Sequence, residues 1–217
     1  MNGLQKRIKD FKYRTLQAKW EKEVAKKGSV IHEIAPKVRM KLYSDSMLSR
    51  LILFNDFEGE ERDFMRRFLR AGDVYVDIGA NAGLFTLIAA RAVGPKGRVI
   101  AFEPVSKTNK RLIENIELNK FENVEVVRKG VSDSSGELKI MVAEDEMDVF
   151  NSFARPYMGE HYVQETVSTT TWDEFAGERS LGGRVAFMKI DVEGWETKVI
   201  EGGRGQFSRE DAPVLQV

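Results

Sequence analysis

The sequence predicts an α/β fold: a doubly wound, mainly parallel sheet with helices on both faces. Three observations carry this expectation. From residue 74 onward, short apolar runs alternate with segments of helical period. The first of those runs leads into a glycine-bearing turn, Asp77-Ile-Gly79-Ala-Asn81-Ala-Gly83, and the second ends on an acidic residue, Glu103. With 217 residues, 42% of them hydrophobic and 31% charged, the chain suits one α/β domain with an appendage and excludes disordered and fibrous classes.

Taken in order, residues 1–28 hold nine Lys/Arg against three Asp/Glu, with Leu4, Ile8, Phe11, Leu16 and Trp20 at roughly helical spacing. This predicts a basic amphipathic extension ending near Gly28. Such a helix can meet a membrane surface, RNA or a partner protein, or lie over its own acidic domain. Residues 30–43 predict short strands around a Pro36 turn, and 60–70 a helix with Phe64, Phe68 and Leu69 inward. There follow strand 74–79, helix 84–93, strand 98–104, helix 106–121 and strand 124–131. Residues 132–175 break the rhythm: strands over 134–142 and 162–172 flank a polar loop, which predicts an antiparallel insertion or lid. Strand 185–192, helix 195–203 and strand 213–217 resume it. The chain stops within that last apolar run, so either further C-terminal strands, as a shortened domain would lack, or another covering element is expected at the edge.

Lys+Arg and Asp+Glu are both 34, so no global field draws the chain to nucleic acid, and nucleic acid is not an expected partner. The absence of cysteine excludes disulfides, thiolate nucleophiles and cysteine metal sites and fits a reducing compartment. Only His32 and His161 are available for imidazole chemistry. No apolar leader and no run of about 20 apolar residues stands in the sequence, and a cytoplasmic location is expected.

Ligands of an open parallel sheet bind outside the carboxyl ends of its strands, where strand order reverses. A dinucleotide fingerprint would want glycines at 79, 81 and 84, but Asn81 and Leu84 occupy two of those places, which disfavours a pyrophosphate cradle. Asp77 would repel a pyrophosphate, yet it can accept hydrogen bonds from an ammonium group, directly or through water. Glu103, twenty residues past Gly83, stands where a carboxylate takes both hydroxyls of a ribose. Unphosphorylated adenosine joined to a cationic amino acid describes S-adenosylmethionine. In KIDVEGWE, Lys189 and Asp191 alternate with Ile190 and Val192, and Gly194 turns the chain into a helix. Asp191 or Glu193 can act as general base on an acceptor hydroxyl, orient it, help bind a divalent cation, or cap the helix. Asn151, Ser152 and Phe153 of the insertion are candidates for contact with the acceptor or closure over the cofactor, and equally for a plain turn.

The segments VDIGANAGLFT (76–86), VIAFEP (99–104), NKRLIENIELN (109–119), GVSDSSGEL (130–138) and MKIDVEGWETKVIEGG (188–203) resemble the FkbM-type family of S-adenosylmethionine-dependent methyltransferases. The resemblance spans about residues 40–217 and implies a Rossmann-like class I methyltransferase domain over 29–217, with S-adenosylmethionine as cofactor. It implies methyl transfer to a hydroxyl of a small-molecule or glycan acceptor: a sugar, a glycolipid or a small metabolite. By position it implies that Asp77, Gly79, Asn81 and Gly83 form the cofactor loop, that Glu103 holds the ribose, and that Val131, Ser132 and Asp133 lie near the adenine. Asp191 and Glu193 would face methionine and acceptor as the catalytic pair; no metal ligands are assigned. The basic extension is not part of the shared pattern. Two alternatives stay open: an NAD-dependent oxidoreductase, and a non-catalytic cofactor-binding module recruited to a membrane or protein by residues 1–28.

Overall fold

A computed structural model describes residues 14–18, 20–55, 57–143 and 162–217. Helix α1 comprises residues 14–18 and the π-helical stretch Trp20–Ala25, which sets Trp20 and Val24 into the core. Leu4, Ile8 and Phe11 of the expected basic helix lie outside the described residues. The antiparallel hairpin β1 (Ser29–Ala35) and β2 (Val38–Tyr43) turns around Pro36 as the sequence predicts. Helix α2 (Met47–Phe54) was not anticipated; Ser46 starts it by accepting a hydrogen bond from the Ser49 N–H at 3.0 Å. Helix α3 (Gly59–Phe68) buries Met65, whereas Phe64, expected inward, stays 52% exposed. Its ring nonetheless leans on Phe68 and Phe187.

The alternation then proceeds through β3 (Val74–Ile78), α4 (Leu84–Val93), β4 (Arg98–Phe102), α5 (Ser106–Asn119) and β5 (Val124–Val127). The strand expected over 124–131 divides: after the exposed Arg128 and Lys129, β6 (Gly130–Val131) leaves for another sheet. There β8 (Tyr162–Thr170) pairs parallel with β6 and antiparallel with β7 (Gly136–Ala143), giving the order β6-β8-β7. Trp172, expected at a strand end, opens helix α6 (Trp172–Glu178), with Thr171 Oγ1 accepting from the Glu174 N–H at 3.1 Å. Strand β9 (Val185–Ile190), helices α7 (Glu196–Gly202) and α8 (Arg204–Phe207), and β10 (Val214–Gln216) complete the described chain.

The main sheet has the order β10-β9-β3-β4-β5, and all its pairings are parallel. Successive residues of a strand point to opposite faces. Tyr75, Val99, Ala101 and Phe187 therefore pack with Leu87 of α4 and Leu112 of α5 on one side. Val76, Ile78, Ile100, Phe102, Met188 and Ile190 pack with Trp172, Phe175 and Val199 on the other. Strands β4 and β5 lie to one side of β3, while β9 and β10 lie to the other, so strand order reverses between β3 and β9. The carboxyl ends of these two strands mark the crevice where such sheets bind ligands. Among the described residues no helix is long and apolar enough to cross a membrane.

Candidate functional site

The β3–β9 register sets Asp77 beside Lys189, both buried, on the same face of the sheet. Asp77 accepts a hydrogen bond from Thr86 Oγ1 at 2.5 Å; burial pushes its carboxyl up while Lys189 and Thr86 pull it down. A cation in an otherwise apolar parallel strand needs partners. Lys189 Nζ lies 2.5 Å from Asp191 Oδ2, 3.8 Å from Glu58 Oε2 and 4.6 Å over the Phe85 ring. Burial opposes the charge of Lys189, yet Asp191, Asp77 and Glu58 together hold its pKa above the ordinary lysine value. Glu58 comes from the start of α3, where it takes a left-handed φ of 43°. Burial pushes its carboxyl up as well, against the pull of Lys189. Among the described residues its Oε2 and the fully buried hydroxyl of Tyr75 have no hydrogen-bond partner.

The turn after β3 is held from several directions. Gly79 has φ 86°, and a Cβ there would sit 1.9 Å from the Asp191 carbonyl oxygen, so backbone meets backbone between the two strand ends. The Asn81 N–H donates to Glu103 Oε2 at 2.8 Å. Glu103 Oε1 accepts from the Val105 N–H at 2.9 Å and from Thr108 Oγ1 at 2.7 Å. Burial outweighs these hydrogen bonds and pushes the Glu103 carboxyl up to about 7. Helix α5 secures the same turn: Asn115 Nδ2 donates to the Ala82 carbonyl at 2.9 Å and Asn109 Nδ2 to the Glu103 carbonyl at 2.8 Å. Gly83 is the residue that precedes α4, with its N–H donating to the Ala80 carbonyl.

Beyond β9, Glu193 sits with φ 51° on the rim, and burial, with Asp191 and Glu196 adding, pushes its carboxyl up to about 7. Among the described residues no side chain caps α7, whether Asp191, Glu193 or another; Glu196, in its first turn, instead ties down the turn that leads into it. Its Oε1 accepts from the Val192 and Gly194 N–H groups at 3.2 and 3.1 Å.

Asp77, Gly79, Asn81, Glu103, Asp191 and Glu193 all line one cavity that opens to solvent, joined by Lys189. Leu48, Phe57, Leu84, Phe85, Val105 and Ile140 contribute its apolar wall. Gly83, Val131, Ser132 and Asp133 do not line it. Val131 is packed in the core, Ser132 Oγ accepts from Trp195 Nε1 at 3.1 Å, and Asp133 pairs with Lys198 at 2.7 Å. Asn151, Ser152, Phe153 and His161 lie outside the described residues. Sequence reasoning placed Lys189 on the strand beside Asp191 but gave it no role, although a lysine inside the run VAFMKI is itself a signal. It also passed over Glu58 and Ile140, which reach the site only through tertiary folding. Among the described residues no group of three or more His, Asp or Glu side chains is arranged to hold a metal ion.

The sequence model of the methyltransferase FkbM domain matches residues 77–217, from the carboxylate of β3 to the last described strand. The chain belongs to the FkbM methyltransferase family. Members of this family use S-adenosylmethionine, which is the cofactor of this chain, and the NAD-dependent reading is set aside. The chain is 30% identical over 142 residues to Methyltransferase 1 of Beauveria bassiana (strain ARSEF 2860), covering 58% of this chain and 57% of that protein. It is 47% identical over 66 residues to AMB antimetabolite synthetase AmbE of Pseudomonas aeruginosa, covering 30% of this chain and 3% of the synthetase. The chain thus spans little more than half of the first relative and a small part of the second. Among solved structures, M. jannaschii TYW2 in complex with AdoMet is 30% identical, with a TM-score of 0.37 over 46% of this chain and 42% of that one. A SAM-dependent O-methyltransferase from Thermotoga maritima is 26% identical, with a TM-score of 0.33 over 35% and 30% of the two chains.

The cavity suits this cofactor. One wall is apolar, carboxylates project from the ends of β3, β4 and β9, and the backbone contact at Gly79 leaves no room for a side chain.

Proposed function

We propose that the chain methylates a hydroxyl group of a sugar, a glycolipid or a small metabolite, with Asp191 and Glu193 as the catalytic pair. The observation that carries this reading is the position of both carboxylates on the cofactor cavity, one ion-paired to Lys189 and the other with a carboxyl pushed up to about 7. When bound, S-adenosylmethionine supplies an electrophilic methyl group on a positively charged sulfur. The protein contributes position and proton handling. Asp77 receives the ammonium of the methionine moiety, directly or through water, and Glu103 the ribose hydroxyls, with the 79–83 turn beneath. The apolar wall at Val105 and Ile140 takes the adenine. Val131, Ser132 and Asp133 are left out of this contact set because they do not line the cavity. Lys189, ion-paired to Asp191 at 2.5 Å, holds that carboxylate in place, so that Asp191 orients the acceptor hydroxyl. Glu193 accepts the hydroxyl proton at a carboxylate oxygen as the new C–O bond forms. A base that titrates near neutrality suits this task, since it is ionised at working pH yet basic enough to accept the proton.

The test is incubation with methyl-labelled S-adenosylmethionine and a panel of sugars, glycolipids and hydroxylated metabolites, followed by mass analysis of the product. Label in an ether linkage is expected. Glu193→Gln should lower kcat by about 100-fold while leaving affinity for S-adenosylhomocysteine within about threefold. Label on nitrogen, or an unchanged kcat in that variant, overturns the reading.

A further inference from the structure

We propose that the net negative charge of this cavity makes it bind S-adenosylmethionine in preference to S-adenosylhomocysteine, so that the charge lost on methyl transfer drives product release. The inference rests on reading the cavity as the cofactor site. Four carboxylates line it, those of Asp77, Glu103, Asp191 and Glu193, and Lys189 is the one basic side chain among the described lining residues. A fifth carboxylate, Glu58, approaches the same ammonium to 3.8 Å, opposite Asp191 at 2.5 Å, and so absorbs much of the countercharge that Lys189 brings.

The two molecules differ by one methyl group and one positive charge on sulfur. Strands β4, β3 and β9 are neighbours in the sheet, about 5 Å apart, and carry these carboxylates at or just beyond their carboxyl ends, so a sulfonium seated over those ends feels the whole set. At the effective dielectric of a partly buried site, one uncompensated negative charge at roughly 8 Å corresponds to at least a tenfold preference for the cation. Two members of the set govern the size of the effect, because Glu103 and Glu193 both titrate at about 7. Glu103 is faced by Asp77, the Thr108 hydroxyl and the N–H groups of Asn81 and Val105. Glu193 is faced by Asp191, Glu196, Lys189 and Glu58. Below neutrality both become uncharged and the preference shrinks.

Calorimetric titration of the full chain with S-adenosylmethionine, S-adenosylhomocysteine and sinefungin, at about pH 8.5 and about pH 6, tests this without an acceptor. Sinefungin carries an amine in place of the methylated sulfur and should follow S-adenosylmethionine. At the higher pH the two cationic ligands should bind at least ~10-fold tighter than S-adenosylhomocysteine, and at the lower pH that ratio should fall by ~5-fold or more. Glu193→Gln at the higher pH should reduce the ratio by ~3-fold or more, with affinity for S-adenosylhomocysteine retained as the sign of an intact fold, and Glu193→Asp should restore it. Equal binding of all three ligands, or a ratio indifferent to pH and to Glu193→Gln, overturns the inference alone. Heat from none of the ligands overturns the cofactor-site reading beneath it.

Discussion

Two residues show how closely the chemistry depends on local placement. If Glu193 is the proton acceptor, as proposed, it must be ionised to act, so kcat/KM is expected to climb about tenfold per pH unit below about 7 and level off above it. A pH–rate profile checks this, and Glu193→Gln should flatten the limb. Gly79 faces a different constraint, since an added Cβ would meet the Asp191 carbonyl at 1.9 Å. Gly79→Ala should therefore separate the ends of β3 and β9 and weaken S-adenosylhomocysteine binding by ~10-fold or more, as titration calorimetry would read. Asp77 and Glu103 were legible in the sequence because a carboxylate at the end of an apolar run has few structural reasons to be there. Glu58 was not, because it stands among Glu60, Glu61 and Asp63 on an otherwise ordinary acidic helix start. Only the fold selects it from them.

Helix α5 illustrates the role of contacts between elements. The residue before it is Val105, which has no side-chain acceptor, and the helix start is completed instead by Glu165 from β8. That carboxylate accepts from the Ser106 N–H at 3.1 and 3.3 Å and pairs with Arg128 at 3.1 Å. Glu165→Ala should lower stability by about 1 kcal/mol in a denaturant titration, the usual worth of a helix cap. Arg128→Ala should cost less, since Arg128 is largely exposed. Strands β3, β4 and β9 were legible because each is buried on both faces and reads as a continuous apolar run. The division of 124–131 between two sheets was not, because the partner of β6 is Thr169–Thr170, far along the chain. Helix α2 escaped because eight mostly apolar residues suit a strand equally well, although Ser46 before it carried the cap signal.

For the molecule as a whole, the cavity at the carboxyl ends of β3, β4 and β9 sets how stability depends on pH. Glu103, Glu193, Asp77 and Glu58 all have carboxyls raised by burial. A raised acid contributes stability that is present in full below its unfolded pKa and is lost as pH rises through the folded value. For Glu103, moved from 4.5 to about 7, the loss is on the order of 3 kcal/mol. Asp45, Glu114 and Glu125 are lowered; their contributions are present above the ordinary carboxylate range and vanish only in stronger acid. Lys189, raised, holds its contribution until well into alkali. The ligand-free chain should therefore melt at higher temperature near about pH 5 than near about pH 7.5, and saturating S-adenosylmethionine should flatten the difference. Scanning calorimetry at constant ionic strength reads both; a Tm rising through neutrality would contradict the account. At this scale the α/β class was legible from the alternation alone.

Ile140 belongs to two structures at once. It lines the cavity proposed for the cofactor, and it packs with Val105, Val142 and Val167 in the small cluster that joins β7 and β8 to the turn after β4. A molecule seated against Ile140 braces β7, and β7 is paired along its eight residues with β8, the strand that carries Glu165. The amide protons of β7 then act as a clock on occupancy. Their exchange with solvent deuterium should slow by ~10-fold or more when S-adenosylhomocysteine fills the cavity, while the fold itself stays unchanged.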